Sequence, residues 1–535
     1  MNKIFRLIFI LCACCGMAQA QPARPKLVVG LVVDQMRWDY LYRYQARYCE
    51  GGFKRLLNEG FSYENCLIPY IPSVTAIGHT SIYTGSVPSI HGIAGNTFMI
   101  DGLTVYCTDD KTVTPVGSNG KAGLMSPRNM WCTTIGDELR LATNSRSKVV
   151  GVAIKDRASI LPAGHHANGA YWFDDESGKF ITSSFYMNQL PDWANAFNKQ
   201  NLPKKYLSTA WSTLYPIDTY RESTADETEY EDGIKPGVKA TLPLDLPALY
   251  KKYGYGIIRS TPMGNTLTLE MAKAAIAGEN LGGGEETDFL AVSCSCTDMI
   301  AHQVGINAIE TEDTYLRLDK DFADFFAYLD KKVGKGNYLL FLSADHGGMH
   351  NAKFLQDRRI PAGSWSSKKA KKYLDEVLNA KYPSAGQLVK AVMNNQVFFD
   401  TARIASLGLD YAEVKQVAVN RLKQDKDILY ACDMEKASIE SIPEKVKYRI
   451  INGYNRERSG GVQIVLKPDY YAHGMKGTNH SAWNNYDTHI PLVFMGWNIE
   501  HGESTKPCYM TDIAPTVCAM LHIQAPDGCI GEPLH

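Results

Sequence analysis

Four segments of this chain are mainly apolar runs with no polar alternation, and each ends at, or is followed within four residues by, a residue that can bind a cation or an anion. Lys26 to Asp34 reads KLVVGLVVD, and residues 148–154, 288–294 and 338–343 repeat the pattern. A strand that is apolar on both faces must be covered on both faces, which is the condition of a central strand in a parallel sheet. Residues 461–466 and 489–495 read as two further buried strands. Between them lie helical patterns such as 136–142 and 314–331. This alternation predicts an α/β fold: a mainly parallel central sheet flanked by helices. In such a sheet, ligands sit in the crevice beyond the carboxyl ends of the strands.

Two stretches break the alternation and are expected to be insertions that cap the crevice. Residues 162–284 are rich in Tyr, Asn, Pro and Thr; residues 347–471 are helical and lysine-rich, as in 366–373 and 411–423. The first twenty residues have the form of a secretory signal, with Lys3 and Arg6, an apolar stretch from Leu7 to Met17, and Ala18-Gln19-Ala20 as cleavage site. That run is too short to span a bilayer. Leu11-Cys12-Ala13-Cys14 loosely matches a lipoprotein box, and simple export to the periplasm is the favoured expectation. Residues 21–535 then form one catalytic domain with its insertions.

Loss of Lys3 and Arg6 takes the formal net charge from -1 to -3. With no basic excess, there is no electrostatic case for a nucleic-acid partner. Ten cysteines follow the signal, an even number that permits disulfides in an oxidising compartment without fixing their pairing. Cys294 and Cys296 are expected on one face of a strand as buried free thiols, and no CxxC pair offers a zinc site.

The chemistry-bearing residues cluster at strand ends. Asp34 closes the first run, Asp298 follows the third, and His302 comes one helical turn later, so that both can face one ion. Asp345-His346 ends the fourth run inside SADHGG, and His480 lies in a Gly/Asn-rich loop. Singly, each is better read as a turn, cap or surface residue. Together, three Asp and three His supply ligands for two divalent ions, and mixed imidazole and carboxylate donors suit zinc, with manganese the alternative, better than Ca²⁺ or Mg²⁺.

Thr75 opens a run of small and apolar residues that reads as a helix, where unpaired N–H groups favour negative charge; its bland role is a helix cap. Ser73 is the competing hydroxyl. Asn96 follows glycines that let backbone approach a ligand. Lys155 and Arg157 extend the second strand, where alternation would aim both cations the same way, as a phosphoryl dianion requires.

These motifs, in this order, resemble the alkaline phosphatase superfamily, and within it the secreted PafA-type alkaline phosphatases. The resemblance rests on Val33-Asp34-Gln-Met-Arg37, Thr75-Ala-Ile-Gly-His79, His91-Gly-Ile-Ala-Gly-Asn96, Lys155-Asp-Arg157, Asp298-Met-Ile-Ala-His302, Asp345-His346-Gly, and His480 followed by Tyr486 to Pro491. It implies one zinc on Asp298, His302 and His480, and a second on Asp34, Asp345, His346 and the Thr75 oxygen. It further implies Asn96, Lys155 and Arg157 on the phosphoryl oxygens, and hydrolysis of small-molecule phosphate monoesters through a phosphothreonine; a monomer is expected. Ile77 departs from the family's usual proline or small residue. A phosphodiesterase or pyrophosphatase with the same core is the enzymatic alternative, and a secreted binding module the non-enzymatic one.

Overall fold

The computed structural model describes residues 24–472 and 474–535. The expected signal segment, 1–20, lies outside them. Eight strands of the main sheet come first: β1 (Leu27–Val33), β2 (Phe61–Tyr63), β3 (Pro115–Val116), β4 (Val149–Ala153), β5 (Gly169–Asp174), β6 (Lys179–Ser183), β7 (Asp288–Cys294) and β8 (Tyr338–Ser343). A second group follows: β9 (Val389–Met393), β10 (Gln396–Phe399), β11 (Ile428–Asp433) and β12 (Val462–Leu466). The last strands of the main sheet are β13 (Leu492–Gly496) and β14 (Gly502–Ser504). The helices that matter here are α1 (Thr75–Thr84), α2 (Ile135–Ala142), α3 (Asp156–Ala163), α4 (Met263–Gly278), α5 (Cys296–Val304), α6 (Ile309–Leu329), α7 (Ser367–Lys381) and α8 (Tyr411–Leu422).

The main sheet has ten strands in the order β14-β2-β13-β8-β1-β7-β4-β5-β6-β3. Its middle is parallel: β1 lies between β7 and β8, and β4 continues from β7 to β5. Both flanks turn antiparallel, with β13 on β8 and β6 on β5. Every residue of β1, β4, β7 and β8 is buried, which is why those segments read as unbroken apolar runs. Four strand ends therefore share one edge: Asp34 after β1, Lys155 after β4, Asp298 after β7 and Asp345 after β8.

Several expectations are corrected. Residues 462–466 are buried, but in a separate antiparallel sheet, ordered β9-β10-β12-β11. An apolar run reports coverage of both faces and not which sheet it joins. Residues 489–495 are not one strand: Pro491, lacking an N–H, separates His489–Ile490 from β13, and β13 runs antiparallel. The stretch 162–284 contributes β5 and β6 to the main sheet. Lys155 and Arg157 are not on a strand. β4 ends at Ala153, Lys155 is the extended residue before α3, and Arg157 is the second residue of that helix. Cys296 likewise opens α5 and is not on the strand with Cys294, although both are buried free thiols.

The four-stranded sheet, covered by α7 and α8, has its own core around Leu374, Leu378, Val397, Val414, Leu422 and Ile464. Its β9–β10 hairpin turns through Asn394 and Asn395, both left-handed at φ 55°. The Asn394 amide donates to the Thr97 carbonyl at 2.8 Å, beside Asn96. Among the described residues, no helix is long and apolar enough to cross a membrane.

Candidate metal centre and nucleophile helix

α1 is buried along its whole length, an environment in which a polar N-terminus must find partners. Thr75 is its first residue, and the extended Val74 precedes it without any side-chain cap. The Asn96 Oδ1 accepts the Ala76 N–H at 2.9 Å, which turns the amide NH₂ of Asn96 away from the helix. Ser73 is spent otherwise: its hydroxyl donates to the Ala482 carbonyl at 3.1 Å.

One turn of chain links Thr75 to both clusters of acids and histidines. The Ser73 carbonyl lies 2.7 Å from His480 Nδ1. On the other side His79, whose Nδ1 is 2.9 Å from the Thr75 carbonyl, sits 3.4 Å from Asp345 Oδ2. Gly78 packs so tightly that a Cβ there would fall 2.3 Å from the Asp345 carbonyl oxygen.

Two groups of donor atoms converge within 4.8 Å: Asp34, Asp345 and His346 in one, Asp298, His346 and His480 in the other, all buried. His346 belongs to both, where the family pattern assigns it to the Asp34 group. His302 falls outside these tight groups but touches one of them, with Nε2 3.0 Å from Asp298 Oδ1. His480 Nε2 is 3.7 Å from the same oxygen.

Each of the three histidines has Nδ1 within hydrogen-bonding distance of a main-chain carbonyl: His302 at Thr478, His346 at Gly347, His480 at Ser73. A carbonyl partner requires the proton on Nδ1 and leaves the Nε2 lone pair for a metal. Burial holds His346 and His480 below the usual imidazole range, and the adjacent imidazoles of His346 and His302 push His480 lower still. Burial works against the charged form of His302 as well, but Asp298 outweighs it and raises that group. Asp34 Oδ1, Asp345 Oδ2 and His346 Nε2 are buried with no hydrogen-bond partner. Orphaned buried acceptors of this kind are costly unless a cation takes them. The donor set fits a divalent ion.

Lys155, 2% exposed, places Nζ 2.6 Å from both Asp34 Oδ2 and Asp298 Oδ2. Burial and the nearby Asp345 push the Asp34 carboxyl well above its ordinary value, with Lys155 opposing them. Arg157 leans on Tyr106, donating from Nη1 to the phenol oxygen at 2.9 Å, while its buried Nε has no partner. Tyr106 in turn donates to Asp156 at 2.7 Å. Tyr106, His79 and Gln35 were not legible as site residues. His79 lies four residues after Thr75, a helical spacing that could have marked it; Tyr106 left no such mark.

Residues 28–494 match the family described as type I phosphodiesterase / nucleotide pyrophosphatase. Alkaline phosphatase PafA of Elizabethkingia meningoseptica is 54% identical over 97% of this chain and 96% of its own length. A protein named calcium-transporting ATPase, from Myroides odoratus, is 52% identical over 99% of this chain and 98% of its own. The crystal structure of wild-type PafA superposes with a TM-score of 0.93, covering 96% of this chain and 98% of that one.

Proposed function

The chain belongs to the type I phosphodiesterase / nucleotide pyrophosphatase family and, within it, to the PafA-type alkaline phosphatases, and from that premise we propose that it hydrolyses phosphate monoesters by way of a phosphothreonine on Thr75. The observation that carries this reading is the turn around Thr75, tied at Ser73 to His480 and at His79 to Asp345. A hydroxyl held there adjoins both ion groups and the positive end of a buried helix.

In the first half of the reaction the Thr75 oxygen attacks phosphorus in line and the ester's alcohol oxygen departs. In the second, water attacks the phosphothreonine, the Thr75 oxygen leaves, and inorganic phosphate is released. The helix N-terminus stabilises negative charge on the Thr75 oxygen in both halves. Asn96, fixed through its Oδ1, offers NH₂ hydrogens to a non-bridging oxygen. Arg157, held by Tyr106, offers its guanidinium, and Lys155 contributes the second positive charge that a dianion needs. Because a monoester's transition state is loose and highly charged, positioning and electrostatics supply most of the acceleration.

Two zinc ions suit the donors: Asp298, His302 and His480 for one; Asp34, Asp345, His346 and Thr75 for the other. When bound, they supply Lewis-acid stabilisation and make hydroxyl and water more acidic. The enzyme is read as monomeric and periplasmic, with the β9–β12 unit capping the crevice.

The deciding experiment compares kcat/KM of zinc-loaded protein on p-nitrophenyl phosphate and bis-p-nitrophenyl phosphate. A large preference for the monoester is expected. A preference for the diester would keep the site and move the activity to phosphodiester hydrolysis.

A further inference from the structure

We propose that Gln35 is a positioning residue that couples the two ion groups, an inference that rests on the two-ion reading above. Gln35 follows Asp34 directly and has φ 63°, in the left-handed region that residues with a Cβ seldom adopt. That turn aims two donors of one residue at two different carboxylates. Its main-chain N–H donates to Asp345 Oδ1 at 3.1 Å, and its side-chain Nε2 donates to Asp298 Oδ1 at 2.8 Å. Gln35 is 2% exposed and packs against Gly348, where a Cβ would meet its Oε1 at 3.2 Å.

Asp298 Oδ1 is the oxygen nearest His302 and His480, so the Gln35 amide fixes the rotation of the carboxylate that completes that group. Asp345 Oδ1 also accepts the His346 N–H at 3.0 Å, which leaves Oδ2 toward the other group. A displacement of either carboxylate is therefore carried through one residue to the other. Filling the Asp34 group orders Asp345, and through Gln35 orders Asp298, so the second ion binds a site already arranged. The chemistry demands an amide of this length. Glutamate would oppose Asp298 with like charge, asparagine is a methylene short, and methionine fills the volume without a donor.

The test strips the protein of metal and titrates Zn²⁺ against a chromogenic chelator, with thermal unfolding of the metal-free form beside it. Wild type is expected to bind two ions with positive cooperativity. In Gln35→Met the affinity of one ion falls about 10- to 100-fold, the loss typical of removing a ligand's hydrogen-bond partner. Cooperativity disappears, the metal-free Tm stays near that of wild type, and excess Zn²⁺ restores turnover. Gln35→Asn, which keeps the amide, falls between the two and also serves if the methionine variant does not fold. Wild-type affinity and cooperativity in both variants would overturn the proposal. So would equal loss of both ions with a collapsed metal-free Tm, which marks a merely structural residue. A wild type that binds no pair of ions would overturn the two-ion reading itself, and this inference with it.

Discussion

Lys155 Nζ lies 2.6 Å from Asp298 Oδ2 at a site closed to solvent, and it reaches Asp34 at the same distance. One ammonium thus offsets two carboxylates that also face the ion groups. Deleting one partner of a buried charge pair typically costs about 3–5 kcal/mol, because the other charge is left alone. For Lys155→Met we expect a loss on that order in the metal-free protein and a much smaller one with Zn²⁺ bound, since the ions then offset the same carboxylates. Thermal unfolding with and without zinc checks it; equal losses in the two states would remove the lysine from this role.

Thr75→Ala should abolish the phosphothreonine, lowering monoester turnover at least about 1000-fold, as loss of a nucleophile commonly does. Zinc content should not fall below that of wild type by more than the loss of one oxygen ligand allows. Acid-quench trapping of labelled phosphate on the protein is the direct measurement: label on wild type and none on the variant. Retained turnover would point to Ser73 or to direct attack by water.

For Arg157→Ala the expected signature is selectivity. A monoester presents a dianion and a diester only a monoanion, so removal of the guanidinium should cost the monoester roughly 100-fold in kcat/KM, and the diester much less. Equal losses on the two substrates would sink the proposed contact.

Asp321, on α6, gives a pH prediction remote from the ions. Burial pushes its carboxyl up to about 7 from an ordinary 3.8, although the Thr266 hydroxyl donates to it at 2.8 Å and Lys273 and Arg317 oppose the shift. Between those values the folded protein keeps a proton that the unfolded chain has released. Stability therefore falls as pH rises through that window, by up to about 1.4 kcal/mol per unit. Asp321→Asn should flatten the decline in calorimetric scans from pH 4 to pH 7.5; an unchanged slope would contradict it.

Much of this was legible in the sequence because a doubly covered strand announces itself and the residues just beyond its end face the crevice. Asp34, Asp298 and Asp345 could be placed that way, and His302 by its helical spacing from Asp298. Thr75 was legible as a helix start because small residues follow it. The reading failed where local pattern and tertiary context part. Lys155 and Arg157 keep a strand's alternation in sequence, yet the chain has already turned into α3. Residues 462–466 are as apolar as β8 but were claimed by another sheet. Residues 169–183 join the main sheet without a long aliphatic run to betray them. The sharing of His346 between two groups, and the reach of Gln35 to Asp298, depend on contacts across hundreds of residues and on one left-handed residue, and no spacing encodes them.

The order of the proposed ligands along the chain has a consequence for how the centre would come into being. Asp34, Asp345 and His346 all follow strands in the middle of the main sheet, so that group needs nothing from the β9–β12 unit. The other waits for His480, which arrives only after the whole β9–β12 unit, a body with its own interior. That unit is thus a detour inserted between two halves of a single proposed ion site. Damage to its interior, at Leu374 or Val414 for instance, should surface first as a protein that keeps its shape and one ion but has lost the other.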